Sequence, residues 1–165
     1  MRSNSVLRNV LIITLVLLNI GCDQISKDVV RKNVESSEYI QIIGDNFILT
    51  NVENTGAMLG FGSNLSPILK MIFLQALPVF VLLILLFRIL RKRELDKFMA
   101  LAFACVIGGG IGNLIDRIAH GSVTDFFFVE IGIFKTGIFN MADVSVTFGV
   151  LLILVLTLIT KKQIL

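Results

Sequence analysis

Five ionisable residues lie within or beside long apolar runs of this sequence, where a charge is costly and therefore indicates a function. They are Asp23, Lys27, Asp116, Asp125 and Asp143. Asp23 and Lys27 are four residues apart, so that an acid and a base would meet on one helical face. We expect this pair to be structural. We expect the same of Asp116, which an arginine would neutralise.

Asp125 and Asp143 have no lysine or arginine within several positions. Taken singly, Asp125 would form a turn and Asp143 would cap a helix. If the two carboxylates meet, they cannot both ionise and must share a proton. One carboxylate can then take a proton from water while the other protonates a carbonyl oxygen. The pattern therefore predicts hydrolysis of a peptide bond without a metal or a covalent intermediate.

The sequence offers little for other hydrolytic chemistry. It has one histidine, His120, and no cluster of histidine and cysteine with zinc-binding spacing. No Gly-x-Ser-x-Gly motif occurs. The two cysteines, Cys22 and Cys105, lie in apolar runs and are interpreted as small buried hydrophobic residues. We therefore expect neither a metal nor a cofactor.

The elements that must position these residues are membrane-spanning helices. Hydrophobic residues make up 55% of the 165 residues and charged residues 16%, which is too apolar for one soluble core. A helix that crosses a membrane needs about 20 apolar residues. We predict a single integral membrane domain, residues 1–165, with four transmembrane helices. The predicted spans are about 9–26, 65–87, 98–115 and 138–160.

Two loops, about 28–64 and 117–137, separate the spans on one side of the membrane. Residues 39–43, 47–52 and 123–131 are rich in β-branched and aromatic residues. We predict that they form a small β-sheet, accompanied by a short helix, on the outer, periplasmic side.

The distribution of basic residues predicts the orientation, because cytoplasmic segments carry an excess of lysine and arginine. Most of the 15 basic residues flank the spans on the side opposite to the predicted sheet. Both termini are therefore predicted to be cytoplasmic. The net charge of +3 reflects this topology and does not indicate binding to nucleic acid. The flanking residues are Arg2, Arg8, Arg88, Arg91, Lys92, Arg93, Lys97, Lys161 and Lys162.

Five stretches of the sequence together resemble the motifs of the lipoprotein signal peptidases (signal peptidase II), which form aspartyl peptidase family A8. They occur in order and spread over nearly the whole chain. They are Asp23–Lys27, Asn51–Ala57, Gly109–Arg117, Val123–Phe126 and Phe139–Asp143.

The resemblance implies an aspartyl endopeptidase of the bacterial inner membrane, acting as a monomer near the outer face. The implied substrate is a prolipoprotein that already carries diacylglycerol on a cysteine, and the cut falls just before that cysteine. By the same resemblance, Asp125 and Asp143 are the catalytic aspartates. Asp23, Lys27 and Asp116 match positions with structural roles. Five further positions are implied to hold substrate or to support the aspartates, namely Asn54, Gly56, Asn113, Arg117 and Asn140.

Two other interpretations stay open at this point. In a small transporter or channel, Asp125 and Asp143 would be proton or cation sites. In a structural scaffold, Gly108 and Gly112 would form a small-residue face for contact with another helix. Cleavage of a lipidated precursor by the pure protein distinguishes the peptidase from both.

Overall fold

The computed structural model of the protein describes residues 2–92 and 94–160. Three of the basic residues on which the predicted orientation depends, Arg93, Lys161 and Lys162, lie outside the described residues.

Within the described residues, four helical segments are long and apolar enough to cross a membrane. The first is α1 and the third and fourth are α4 and α5. The second span consists of two α-helices, α2 and α3, joined by a π-helical turn. The bounds are Arg2–Asn33 for α1, Pro67–Lys70 for α2, Met71–Ala76 for the π-helical turn, Leu77–Arg91 for α3, Lys97–His120 for α4 and Met141–Thr160 for α5.

The helices are longer than the apolar runs of the sequence. Helix α1 continues to Asn33 instead of ending near residue 26, and α4 continues to His120 instead of residue 115. Charged side chains in these extensions pair across the two helices, as Arg31 does with Asp116. Because a paired charge is less costly near lipid than an isolated one, the helices continue past the last apolar residue.

Helix α4 forms the centre of the bundle and packs against α1, α3 and α5. Its glycines allow this close approach. A Cβ atom at Gly108 would lie 2.6 Å from the Cβ of Asn19 on α1, and one at Gly112 would lie 2.6 Å from Asp23 Oδ2. A Cβ atom at Gly109 would collide with the carbonyl oxygen of Ala142 on α5. The small-residue face predicted from the sequence is therefore a packing surface within this chain.

An antiparallel sheet, four-stranded among the described residues, has the strand order β1-β2-β3-β4. A 3₁₀ turn, Met58–Gly60, follows β2 and is the one short helix between the sheet and the second span within the described residues. The strands are β1 Ile40–Ile43, β2 Phe47–Asn54, β3 Val123–Ile131 and β4 Phe134–Lys135.

The sheet lies at the end of the bundle where α1 and α4 finish and where α2 and α5 begin. The backbone of Phe139 fixes this junction. Its N–H donates to Phe127 O at 2.9 Å, and its carbonyl oxygen accepts from Phe126 N at 3.0 Å and Phe127 N at 2.8 Å. These bonds hold the start of α5 against β3, beside Asp125.

Candidate active site

Asp125 projects from β3 into a buried position, with a side chain that is 4% exposed. Its Oδ1 accepts a 2.6 Å hydrogen bond from Asn140 Nδ2, and its Oδ2 accepts one of 3.0 Å from Asn54 Nδ2. Asn54 is the last residue of β2 and pairs with Val123 of β3. Strand pairing therefore places one donor beside Asp125, and the start of α5 places the other.

Burial raises the pKa of Asp125 from its ordinary value of 3.8 to about 6, because the ionised carboxylate loses its hydration. The hydrogen bonds from Asn54 and Asn140 favour the ionised form and oppose this change. The negative charge of Asp143 acts in the same direction as burial. Asp125 therefore holds a proton at a pH where an exposed aspartate would have lost it.

Asp143 lies in the first turn of α5 and forms a reciprocal cap with Asn140. Its Oδ2 accepts from Asn140 N at 3.2 Å, while Asn140 Oδ1 accepts from Asp143 N at 3.0 Å. This is the helix-capping role that the sequence predicts for Asp143 alone. The structure adds a contact from another helix, because Asp143 Oδ1 accepts a 2.8 Å hydrogen bond from Asn113 Nδ2 of α4.

Two asparagines connect the aspartates. Asn140 donates to both of them, through Nδ2 to Asp125 and through its backbone N–H to Asp143. Asn140 Nδ2 also lies 3.1 Å from Asn113 Oδ1, and Asn113 donates to Asp143. Asp125 and Asp143, which are 18 positions apart in the sequence, therefore belong to one hydrogen-bonded site.

Gly56 and Arg117 form one wall of this site. Gly56 N donates to Asn54 Oδ1 at 2.9 Å, and Gly56 O accepts from Arg117 Nη2 at 2.9 Å. A Cβ atom at Gly56 would lie 2.6 Å from Gly60 O, so only glycine fits there without a backbone shift. Among the described residues, Arg117 Nε is buried and has no hydrogen-bond partner.

Lys27 is the centre of a buried polar cluster behind the aspartates. Its Nζ lies 2.7 Å from Asp23 Oδ2, 2.9 Å from Asp116 Oδ2 and 2.8 Å from Asn113 Oδ1. The pairing of Asp23 with Lys27 predicted from their spacing is confirmed. Asp23 Oδ1 also accepts a 2.9 Å hydrogen bond from the N–H of Ala142, which fixes α1 to the start of α5.

Arg31 belongs to the same cluster and is not among the site residues predicted from the sequence. Its Nη2 lies 3.1 Å from Asp116 Oδ1, and its Nε donates to Thr124 Oγ1 at 2.7 Å. Asp116 is thus neutralised by an arginine, as expected, and by Lys27 in addition. The sequence does contain an indication that Arg31 belongs to the cluster, because Arg31 follows Lys27 by four residues and so lies on the same face of α1.

Glu53 and Gln24 are two further polar residues that sequence reasoning missed. Glu53 accepts hydrogen bonds from Ser122 and from Thr124, the latter at 2.7 Å. Gln24 Nε2 lies 3.1 Å from Gly112 O and 3.2 Å from Asp116 Oδ1. Both lie within motif stretches of the sequence, but their partners depend on how the sheet and the helices pack.

A family model and a known relative both match this chain, and they point to the same family. The family model described as signal peptidase (SPase) II matches residues 15–159. A lipoprotein signal peptidase from Borrelia turicatae (strain 91E135) is 36% identical over 147 residues, which are 86% of this chain and 85% of the relative.

Two solved structures, each described as a bacterial membrane enzyme, have a similar fold. The first has a TM-score of 0.80 and 28% identity, and the match covers 92% of this chain and 91% of the other. The second has a TM-score of 0.79 and 26% identity, and the match covers 92% of this chain and 94% of the other.

Proposed function

The chain belongs to the signal peptidase II family, whose members cleave signal peptides from prolipoproteins, and from this premise we propose that Asp125 and Asp143 are its catalytic pair. The observation that carries the proposal is Asn140, which donates one hydrogen bond to each carboxylate. A residue that bonds both groups fixes their separation and orientation, as a shared catalytic site requires.

The two aspartates divide the acid and base roles. Asp125 carries the proton, because burial raises its pKa to about 6. Asp143 takes a proton from water as the water oxygen bonds to the carbonyl carbon, and Asp125 gives its proton to the carbonyl oxygen. When the intermediate breaks down, Asp143 protonates the leaving nitrogen and Asp125 recovers its proton. The C–N bond is replaced by a C–O bond, and both aspartates return to their starting state.

Neighbouring polar groups would hold the substrate and support the pair. Arg117 Nε is a buried donor that finds no partner among the described residues, so a carbonyl oxygen of the substrate would satisfy it. Asn54 and Asn140 hold Asp125 from two sides. Gly56 keeps the adjacent backbone free of a side chain, which leaves room for a peptide.

We place the active site at the outer face of the inner membrane, with both termini in the cytoplasm. Support comes from Arg88, Arg91, Lys92 and Lys97, which lie at the end of the bundle opposite to the sheet. The sheet end presents exposed apolar side chains that suit a membrane interface. These include Ile131, Ile133 and Phe134.

The substrate we propose is a prolipoprotein whose cysteine carries diacylglycerol, cut on the N-terminal side of that cysteine. A site where spanning helices end is at the depth at which a lipid-bearing cysteine would present its peptide bond. We also propose that the protein acts as a monomer.

The experiment uses two synthetic precursors that differ only in whether the cysteine carries diacylglycerol. The purified protein in detergent is incubated with each precursor, and mass spectrometry identifies the products. We expect cleavage of the lipidated precursor alone, with a product that begins with the modified cysteine. Equal cleavage of both precursors, or a cut elsewhere, would contradict the proposed substrate. Failure to cleave either precursor would contradict the proposed activity.

A further inference from the structure

The ammonium group of Lys27 is buried among three oxygen atoms. The side chain is 0% exposed. Its Nζ donates a hydrogen bond to Asp23 Oδ2 at 2.7 Å and forms an ion pair with Asp116 Oδ2 at 2.9 Å. It also donates a hydrogen bond to Asn113 Oδ1 at 2.8 Å. Because an ammonium group carries only donors, each of these neighbours must present an oxygen to it.

The contact with Asn113 is not needed to compensate the charge of Lys27. The two carboxylates already provide two negative charges, and Arg31 provides the second positive charge at Asp116. The cluster of Asp23, Lys27, Arg31 and Asp116 is therefore neutral without Asn113. Lys27 Nζ nevertheless directs a donor at the Asn113 amide, which belongs to the proposed active site.

That donor determines which way the Asn113 amide faces. Asn113 Oδ1 accepts from Lys27 Nζ and from Asn140 Nδ2, so its Nδ2 must point to the opposite side, where it donates to Asp143 Oδ1 at 2.8 Å. If the amide turned over, its NH₂ group would face the ammonium and its oxygen would face a carboxylate. Both contacts would be repulsive, so the ammonium selects one orientation.

We propose that Lys27 is a positioning residue for the peptidase reaction, which acts through Asn113 to keep an N–H donor on Asp143. This inference rests on the proposed catalytic pair and extends it to a residue to which the sequence assigns a structural role. Lys27 itself forms no hydrogen bond or ion pair with Asp125 or Asp143, so its effect through Asn113 should fall on kcat and leave KM unchanged.

The test is a double-mutant cycle between Lys27 and Asn113, measured with enzyme in excess over a lipidated precursor so that slow cleavage can be followed. Lys27→Met is combined with Asp116→Asn, which keeps the buried cluster electrically neutral. With Asn113 present, we expect the rate constant of cleavage to fall on the order of 100-fold, as when one preorganised donor is lost. In an Asn113→Ala background, the same pair of changes should cost less than about threefold, because the amide through which Lys27 acts is absent.

The matched control is Arg31→Gln with Asp116→Asn. It also removes one cation and one anion from the cluster, and it leaves Asp23 and Lys27 as a neutral pair with the contact between Lys27 and Asn113 intact. We expect this control to keep a cleavage rate within about threefold of the unmodified protein. If the protein with Lys27→Met and Asp116→Asn does not fold, Lys27→Gln replaces Lys27→Met in the same pair. Glutamine keeps a polar group in the cluster, but its side chain is one atom shorter than that of lysine.

Two results would overturn the inference. One is an equal loss of activity from the Lys27 change with and without Asn113, which would mean that Lys27 acts through general stability. The other is no loss at all when Asn113 is present. Both differ from failure of the catalytic pair, which would be seen as cleavage by variants that lack Asp125 or Asp143.

Discussion

Replacing Asp125 with asparagine should stabilise the folded protein above pH 6 while it removes a catalytic carboxyl group. Burial raises the pKa of this carboxyl from 3.8 to about 6 in the folded protein. The difference of about two pH units, at about 1.36 kcal/mol for each, corresponds to about 3 kcal/mol. Ionisable groups whose burial destabilises the folded protein are common in active sites.

The sign follows from the raised pKa. The folded protein binds the Asp125 proton more tightly than the unfolded chain does. The resulting stability is fully present below pH 3.8 and is lost as the pH rises through about 6. Asparagine does not titrate, so the variant does not suffer this loss. Its amide must face an NH₂ group of either Asn54 or Asn140, which forfeits about 1 kcal/mol. The net gain at pH 8 is therefore about 2 kcal/mol.

The distribution of cysteines provides an assay for unfolding, since the sequence has no tryptophan. Cys105 is buried in α4, whereas Cys22 is exposed on the surface of α1, so the expectation that both cysteines are buried is wrong for Cys22. In a Cys22→Ser background Cys105 is the one remaining thiol, and a thiol-reactive fluorophore labels it only when the bundle opens. A gain of about 2 kcal/mol should raise the melting temperature at pH 8 by roughly 4–8 °C.

The control for this experiment is Asp28→Asn, which removes an exposed carboxylate from α1. We expect its melting temperature to follow that of the unmodified protein at every pH. The reasoning would be refuted if Asp125→Asn were no more stable than the unmodified protein at pH 8. A difference in melting temperature between Asp125→Asn and the unmodified protein that is the same at pH 4 and pH 8 would refute it equally.

Three other predictions concern activity and packing. The value of kcat/KM should fall above about pH 6 as Asp125 loses its proton, and a pH profile that is flat from 5 to 8 would contradict this role. Asn140→Ala should lower kcat on the order of 100-fold, measured by product mass, because the Asp125 carboxylate loses the donor Nδ2 and the N–H of Asp143 loses its acceptor Oδ1. Gly112→Ala should sharply lower the yield of folded protein in size-exclusion chromatography, since its Cβ would lie 2.6 Å from Asp23 Oδ2. Gly21→Ala is the control and should keep the yield of folded protein, because a Cβ atom at Gly21 would have no other atom within 4 Å.

The sequence predicts the parts of this protein that depend on local composition. Apolar runs predict the four spans, and β-prone residues predict β3 at Val123–Ile131. The helix-capping role of Asp143 also follows from its position near the start of an apolar run. Each of these features is determined by residues that are close to one another in the chain.

Other features depend on packing and could not be predicted in the same way. Hydropathy ends the first span near residue 26, whereas α1 continues to Asn33, where Arg31 forms an ion pair with Asp116 of α4. The bridge that Asn140 forms between Asp125 and Asp143 requires the start of α5 to lie against β3, where the backbone of Phe139 bonds Phe127. The donor that Asn113 provides to Asp143 requires α4 to approach α5 closely, which glycine at position 109 allows. The π-helical turn at Met71–Ala76 precedes Pro78 and lies inside the second span, for which the sequence predicts only a helix over about 65–87.

Asp125 and Asp143 are proposed to carry out the cleavage together. This can be tested by measuring cleavage of a lipidated precursor by the purified variants Asp125→Asn and Asp143→Asn, with Asp28→Asn as the control. We expect each active-site variant to stay folded and to lose cleavage to the background rate, while Asp28→Asn cleaves like the unmodified protein. Full activity in either active-site variant would show that the two aspartates are not the catalytic pair.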